Sequence, residues 1–163
     1  DINKTENESI EKSNFFNRFQ NIKYFVHYDA SLKIFKEYPL FGVANKNFRH
    51  ECHHKKYHEE TIKLTNLRCS THPHQIHFEL LSEQGIIGYI FFLIIMFTGL
   101  KKIYNNYTAT RNLFYLSSLL YLIIFLIPVL PSGSFFSTYN GTLFWVIFSI
   151  GNIKKEIFLG KTI

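Results

Sequence analysis

The second half of this sequence has almost no acid. Residues 84–163 carry a single one, Glu156, together with six Lys+Arg and none of the eight histidines. Residues 1–83 hold the other 12 of the 18 Lys+Arg. That asymmetry excludes an evenly mixed globule and reads as a polar segment joined to a membrane segment. Charge is missing altogether from Tyr89 to Leu100, a run stopped only by Lys101-Lys102. No secretory leader is visible, because Asp1-Ile2-Asn3-Lys4-Thr5-Glu6 is polar and lacks a Met. The chain is therefore expected to be the C-terminal part of something longer. The net charge of +6 could suggest nucleic acid. The apolar half argues against that partner and for a membrane surface or an anionic phosphate substrate.

The polar half reads as a loop domain over residues 1–83. Residues 1–14 are expected to be a flexible lead-in. Residues 15–38 have helical spacing, with Phe15, Phe19, Ile22, Phe25 and Val26 followed by Leu32, Ile34 and Phe35. Pro39 ends that helix. Leu40-Phe41-Gly42-Val43-Ala44 forms a tight turn, and residues 45–69 show no clear period.

Three apolar segments are expected in a transmembrane region over 84–153, at about 78–100, 113–130 and 135–153. A span needs ~30 Å at ~1.5 Å per residue. The third is the weakest, since Asn140, Gly141 and Ser149 interrupt it. Lys101, Lys102 and Arg111 separate the first two, and Lys154, Lys155 and Lys161 follow the third. The 131–140 link has no Lys or Arg. Under the positive-inside rule, the 101–112 loop and the 154–163 tail are cytoplasmic, and the link and the His-rich loop face outward. Cys52 and Cys69 then lie on the side where disulfides persist, and a bridge between them is expected. Three buried helices of a soluble protein are the bland alternative, disfavoured by segment length and charge-free interiors.

Arginine suits a diphosphate, because its planar fork pairs two oxygens and keeps its charge. Arg18, Arg49 and Arg68 all lie outside the apolar segments. His74 lies in the run His72-Pro73-His74-Gln75 that enters the first apolar helix, where it can accept or donate a proton near neutral pH. A lone Arg is usually a solvated surface group and a lone His usually structural, so it is the combination beside a membrane entry that carries weight. A competing motif is His50-Glu51-Cys52-His53-His54, which matches H-E-x-x-H. On a helix it would face two imidazoles toward zinc with Glu51 as base, as in a membrane metalloprotease. Lys-rich flanks, the Cys within it and the abundance of His favour a chance match. A structural metal or His-rich binding loop and a non-enzymatic membrane protein complete the alternatives.

Phe35-Lys36-Glu37-Tyr38-Pro39-Leu40-Phe41-Gly42-Val43, then Asn47-Phe48-Arg49, then His72-Pro73-His74-Gln75 through Glu83-Gln84-Gly85-Ile86-Ile87-Gly88, resembles the O-antigen ligase and O-antigen polymerase superfamily. Arg18 resembles the Arg placed upstream of the Pro turn. The resemblance covers roughly 13–150 and is most specific from His74 to Gly88. It implies a mainly α, integral membrane helical protein. The chain would be the C-terminal part of a GT-C-like polytopic fold, with a helical and irregular periplasmic loop domain and about three transmembrane helices.

It also implies a bacterial inner (cytoplasmic) membrane, multi-pass location and a glycosyltransferase activity. A glycan would move from undecaprenyl diphosphate to a lipid-A core sugar or to another repeat unit, without metal or other cofactor. The partners would be that lipid-linked glycan, the acceptor and membrane lipids, with no nucleic acid. His74 matches the essential His, and Arg18 with Arg49 or Arg68 match arginines that would hold the leaving diphosphate. Gln75 stands where Asn is commoner.

Glu83 could order a histidine or arginine, or cap the helix end as a solvated acid. Gly85 and Gly88 are expected to serve close packing. Tyr89, Tyr139 and Trp145 read as interface or packing aromatics, and Ser132-Gly133-Ser134 as a turn or part of a cleft wall. Family members have many more transmembrane helices. This polypeptide alone is therefore expected to be an inactive fragment or a truncated product.

Overall fold

A computed structural model describes residues 23–58, 64–128 and 130–153. The chain is mainly helical, with no strand among the described residues, as a helical membrane protein should be. Its α-helices are α1 (Lys23–Glu37), α2 (Phe48–Glu51), α3 (Ile76–Thr110), α4 (Leu113–Phe125) and α5 (Thr138–Gly151). Single tighter turns lie at Lys55–Tyr57 and Thr65–Leu67.

Helix α1 buries Val26, His27, Ala30, Ser31 and Ile34. These are neighbours on one helical face by their three- and four-residue spacing. The helix stops at Glu37 because Pro39 disfavours helical backbone at the residue before it. The earlier part of the expected amphipathic helix, Arg18 included, lies outside the described residues, as does the 154–163 tail. The inner face of α1 joins Phe48, Cys52 and Tyr57 in a small core, with Val43 and Cys69 packed against it. Cys52 and Cys69 form a disulfide that closes this loop. So the stretch 45–69, which shows no period in sequence, is organised by α1 and a covalent bridge rather than by its own pattern.

Helix α3 starts at a side-chain cap: Oε1 of Gln75 accepts hydrogen bonds from the backbone N–H of His77 and Phe78. Such a cap satisfies donors that the first turn cannot. At Gly85 the helix breaks, with φ 65° and ψ −171°. Its second leg continues past Lys101 and Lys102 to Thr110. The stretch expected as a 101–112 loop is therefore mostly helix. The basic pair rides on the last turns because Asn105, Asn106 and Tyr107 contain no Pro or Gly to stop it.

Pro128 likewise ends α4 early, at Phe125, and α5 begins only at Thr138, where Ser137 caps it. With 13 and 14 residues, α4 and α5 are each ~20 Å long, short of a ~30 Å hydrocarbon core. Among the described residues α3 is the one helix long and apolar enough to cross a membrane. Phe92, Met96, Ile103, Tyr115, Leu122 and Phe144 form the core between α3, α4 and α5. Phe91, Ile94 and Phe97 on α3 and Ile124 on α4 are left exposed. An apolar surface of that kind suits lipid or further helices.

Candidate functional site

The Pro39–Gly42 turn and the Glu83–Gly85 break are two halves of one joint. The N–H groups of Ile86 and Ile87 donate to the carbonyls of Pro39 and Leu40 at 2.8 and 3.3 Å, and the N–H of Val43 donates to the Ser82 carbonyl at 2.9 Å. Both glycines have positive φ, +64° at Gly42 and +65° at Gly85. A Cβ on Gly42 would collide with the Glu83 backbone, and one on Gly85 with the Leu40 carbonyl. Only glycine permits both the turn and the backbone contact. The second leg of α3 loses its first intrahelical acceptors at the break, and the Pro39 turn supplies replacements.

Glu83 extends the joint toward the segment that follows the Pro39 turn. Its side chain is buried, and its two oxygens accept from the N–H of Lys46 at 2.7 Å and of Phe48 at 3.1 Å. Glu83 thereby fixes the start of α2, whose second residue is Arg49. Its burial is not that of a solvated cap, and its hydrogen bonds go to backbone N–H groups rather than to a histidine or arginine side chain.

The His74–Glu79 stretch holds the link between α4 and α5. His74 has φ 60°, and its carbonyl accepts from the N–H of Ser132 at 2.7 Å. Nε2–H of His77 donates to the Leu126 carbonyl at 2.9 Å, which leaves Nδ1 to accept from Tyr89 Oη at 3.0 Å. Both nitrogens of His77 are engaged in packing. Glu79 is buried and accepts from Ser134 Oγ at 2.6 Å and Phe135 N–H at 2.7 Å.

Above this base three imidazoles meet. The His74 ring centre lies 4.2 Å from that of His72 and 5.1 Å from that of His27, with Tyr24 edge-on at 5.5 Å. Burial lowers the pKa of all three. For His72 the value falls to about 4, helped by the charges of His74, His27 and Arg49. For His74, the charges of His27 and Lys23 add to burial. For His27, burial outweighs the bond to Arg68, which acts the other way. All three are thus neutral at pH 7.

The two described arginines part company. Arg68 is 8% exposed, and its guanidinium donates to the carbonyls of Cys52, Thr65 and His53 at 2.8, 3.2 and 3.1 Å. Arg68 braces the disulfide loop. Arg49 is exposed and lines a cleft of about 440 Å³ with Lys46, Thr71, His72, Ser134 and Asn140. Gly133 also lines it, so Gly133 and Ser134 of the Ser132–Ser134 turn border the cleft while Ser132 does not. Two cations, several hydroxyl and amide groups and the His72 ring in one lining suit an anionic, hydroxyl-rich ligand; His74 and His27 do not line the cleft.

The H-E-x-x-H segment is not arranged for zinc. Helix α2 ends at Glu51, so His54 does not follow His50 on a helical face. Glu51 accepts from Tyr57 Oη at 2.7 Å and pairs with Lys56 at 3.3 Å. Among the described residues, the group with metal-ligating proximity is Cys52, His53 and Cys69, and its two sulfurs are bonded to each other.

Sequence reasoning missed His27 and Glu79. His27 reads as one more polar position in an amphipathic helix, and nothing local marks it. Glu79 carried a signal, as an acid in the first turn of a helix that is otherwise apolar.

A family model described as O-antigen ligase matches residues 2–93, more than half of the chain. No curated protein and no solved structure matches. The matched region contains the Pro39–Gly85 joint, Arg49 and the histidine cluster, and stops within the second leg of α3.

Proposed function

This chain belongs to the O-antigen ligase family, and we propose that it forms one wall of a glycan-transfer site on the outer face of the bacterial inner membrane. The donor is a glycan on undecaprenyl diphosphate. The acceptor is a lipid-A core sugar or a growing O-antigen chain. His74 takes the proton of the acceptor hydroxyl as that oxygen bonds to the anomeric carbon. The bond from that carbon to the diphosphate breaks, and undecaprenyl diphosphate leaves with the electron pair. Arg49 and Lys46 hold the charge that builds on it, an electrostatic role that fixed cations perform without reorganisation. Arg18 remains the candidate second arginine. The neutral state of His74 at pH 7 suits a base.

The observation that carries this reading is the cleft itself, which sets Arg49 and Lys46 beside a His72 ring packed on His74. The test is surface-polysaccharide attachment in cells expressing the full gene product. His74→Ala abolishes attachment, whereas Glu51→Ala retains it. Equal loss from both would return the case to zinc chemistry.

A further inference from the structure

The Pro39 turn carries two large apolar side chains that the described residues leave uncovered. Leu40 is 56% exposed and Phe41 is 72% exposed. Their backbone has little freedom to tuck them away. The Pro39 and Leu40 carbonyls accept from Ile86 and Ile87, and the N–H of Gly42 donates to the Tyr38 carbonyl at 3.0 Å. A single exposed Leu on a protein surface means little. Two adjacent apolar side chains on a turn clamped to the start of an apolar helix call for a partner.

The depth of that clamp in a bilayer follows from α3. Its charge-free run extends from Gln84 to Leu100, between Glu83 and Lys101. At ~1.5 Å per residue the run is ~25 Å long, short of a ~30 Å hydrocarbon core. Any tilt shortens its rise across the bilayer further. Measured from the Lys101-Lys102 pair, the hydrocarbon therefore reaches at least to the Gly85 break, where the Pro39 turn docks. Ile87, Ile90 and Phe91 are exposed in the turns of α3 that follow the break. The flank of the tip is polar. The Lys56 ammonium lies 5.2 Å from the ring centre of Tyr38 and pairs with Glu37 at 3.2 Å. Aromatic and charged groups beside an apolar tip are the distribution of an interfacial anchor.

We propose that the Leu40–Phe41 tip is a membrane anchor, seated among phospholipid acyl chains in the leaflet opposite Lys101 and Lys102. It fixes the height of the polar half of the chain over the bilayer. The N–H of Val43 ties the tip to the Ser82 carbonyl, and Glu83 holds the N–H groups of Lys46 and Phe48. The cleft cations Lys46 and Arg49 thus keep a set distance from the lipid surface. The proposal stands on the joint and on the length of the apolar leg, whatever the cleft binds.

Fluorescence quenching by brominated lipid tests it. The full gene product carrying Phe41→Trp is reconstituted in phosphatidylcholine vesicles, and its added emission over the parent is measured. The acyl chains carry bromine either near the headgroup or near the bilayer centre. Headgroup-proximal bromine is expected to lower the added emission by at least about two-fold, as for a side chain seated at the acyl boundary. Central bromine is expected to lower it clearly less. Leu93→Trp, at mid-length of the charge-free run, is the deep reference and is expected to show the opposite preference.

Leu40→Trp gives the same reading from the neighbouring side chain if Phe41→Trp does not fold. Aqueous iodide identifies any other environment of the tip. Quenching by iodide and not by bromine would put the tip in water. Protection from both quenchers would put another protein segment over it. Either result overturns the proposal.

Discussion

Ser134 donates its hydroxyl hydrogen bond to Oε1 of Glu79 at 2.6 Å, across 55 residues of chain. The adjacent Phe135 N–H donates to the other oxygen at 2.7 Å. One buried carboxylate in the first turn of α3 thus holds a link whose residues line the cleft. Glu79→Ala would leave that N–H and hydroxyl without their acceptor, at a cost of ~1–3 kcal/mol. Ser134→Ala removes only one of the two bonds. Thermal unfolding of the full gene product in detergent should show a clearly larger drop for Glu79→Ala. Equal drops would mean that the Phe135 bond contributes nothing.

The joint between the Pro39 turn and the α3 break predicts an unusual sensitivity to a methyl group. Gly42→Ala and Gly85→Ala each force a side chain into positive φ and against a backbone carbonyl. The strained backbone alone costs ~1–3 kcal/mol, before any steric clash. Both variants should lower the unfolding temperature or the yield of folded protein. A Gly85→Ala variant with parental stability would refute the docked arrangement of the two segments.

The arginines should separate by phenotype. Arg68→Ala leaves three carbonyls without a charged donor, each bond of that kind contributing ~1.5–3 kcal/mol. Loss of stability and faster proteolysis of the 53–68 loop should follow. Arg49→Ala touches an exposed side chain and should leave the unfolding temperature unchanged while weakening use of the diphosphate-linked donor. The comparison needs both unfolding temperature and transfer rate on the same preparations. Stable Arg68→Ala with lost transfer would reassign the diphosphate contact.

The histidine cluster makes the fold acid-sensitive. The His72 pKa lies at about 4 in the folded protein, against 6.5 for an unperturbed imidazole. Between those values the unfolded chain binds more protons, so stability falls as pH drops from about 6.5 toward 4 and levels off below. His74 and His27, also lowered, add to the same trend. His72→Gln should flatten the dependence of unfolding temperature on pH across this window. An unchanged slope would place the acid sensitivity elsewhere.

Local chemistry made much of this protein legible from its residues. The charge-free run of α3 and the acid-poor second half marked a membrane protein, because desolvating charge is costly whatever the fold. Pro39 set the end of α1, since its ring excludes helical backbone before it. The joint appearance of the Pro39 turn and the His74–Gly88 stretch pointed to the family that the match over residues 2–93 shows. Segment ends were less legible. The run 113–130 carries no charge, but Pro128 stops α4 well short of that length.

Only the tertiary structure decided which polar groups remain available for chemistry. Arg49 and Arg68 are equivalent as sequence. Folding turns one toward the cleft and buries the other among carbonyls of Cys52, His53 and Thr65. Eight histidines are equivalent until α1 carries His27 to His74 and the helix start gives both nitrogens of His77 to packing. The physical reason is that helix ends and apolar runs follow from residues a few positions apart. Whether a charge or imidazole is free depends on partners as far as 55 residues away, which only the closed chain brings into hydrogen-bonding distance.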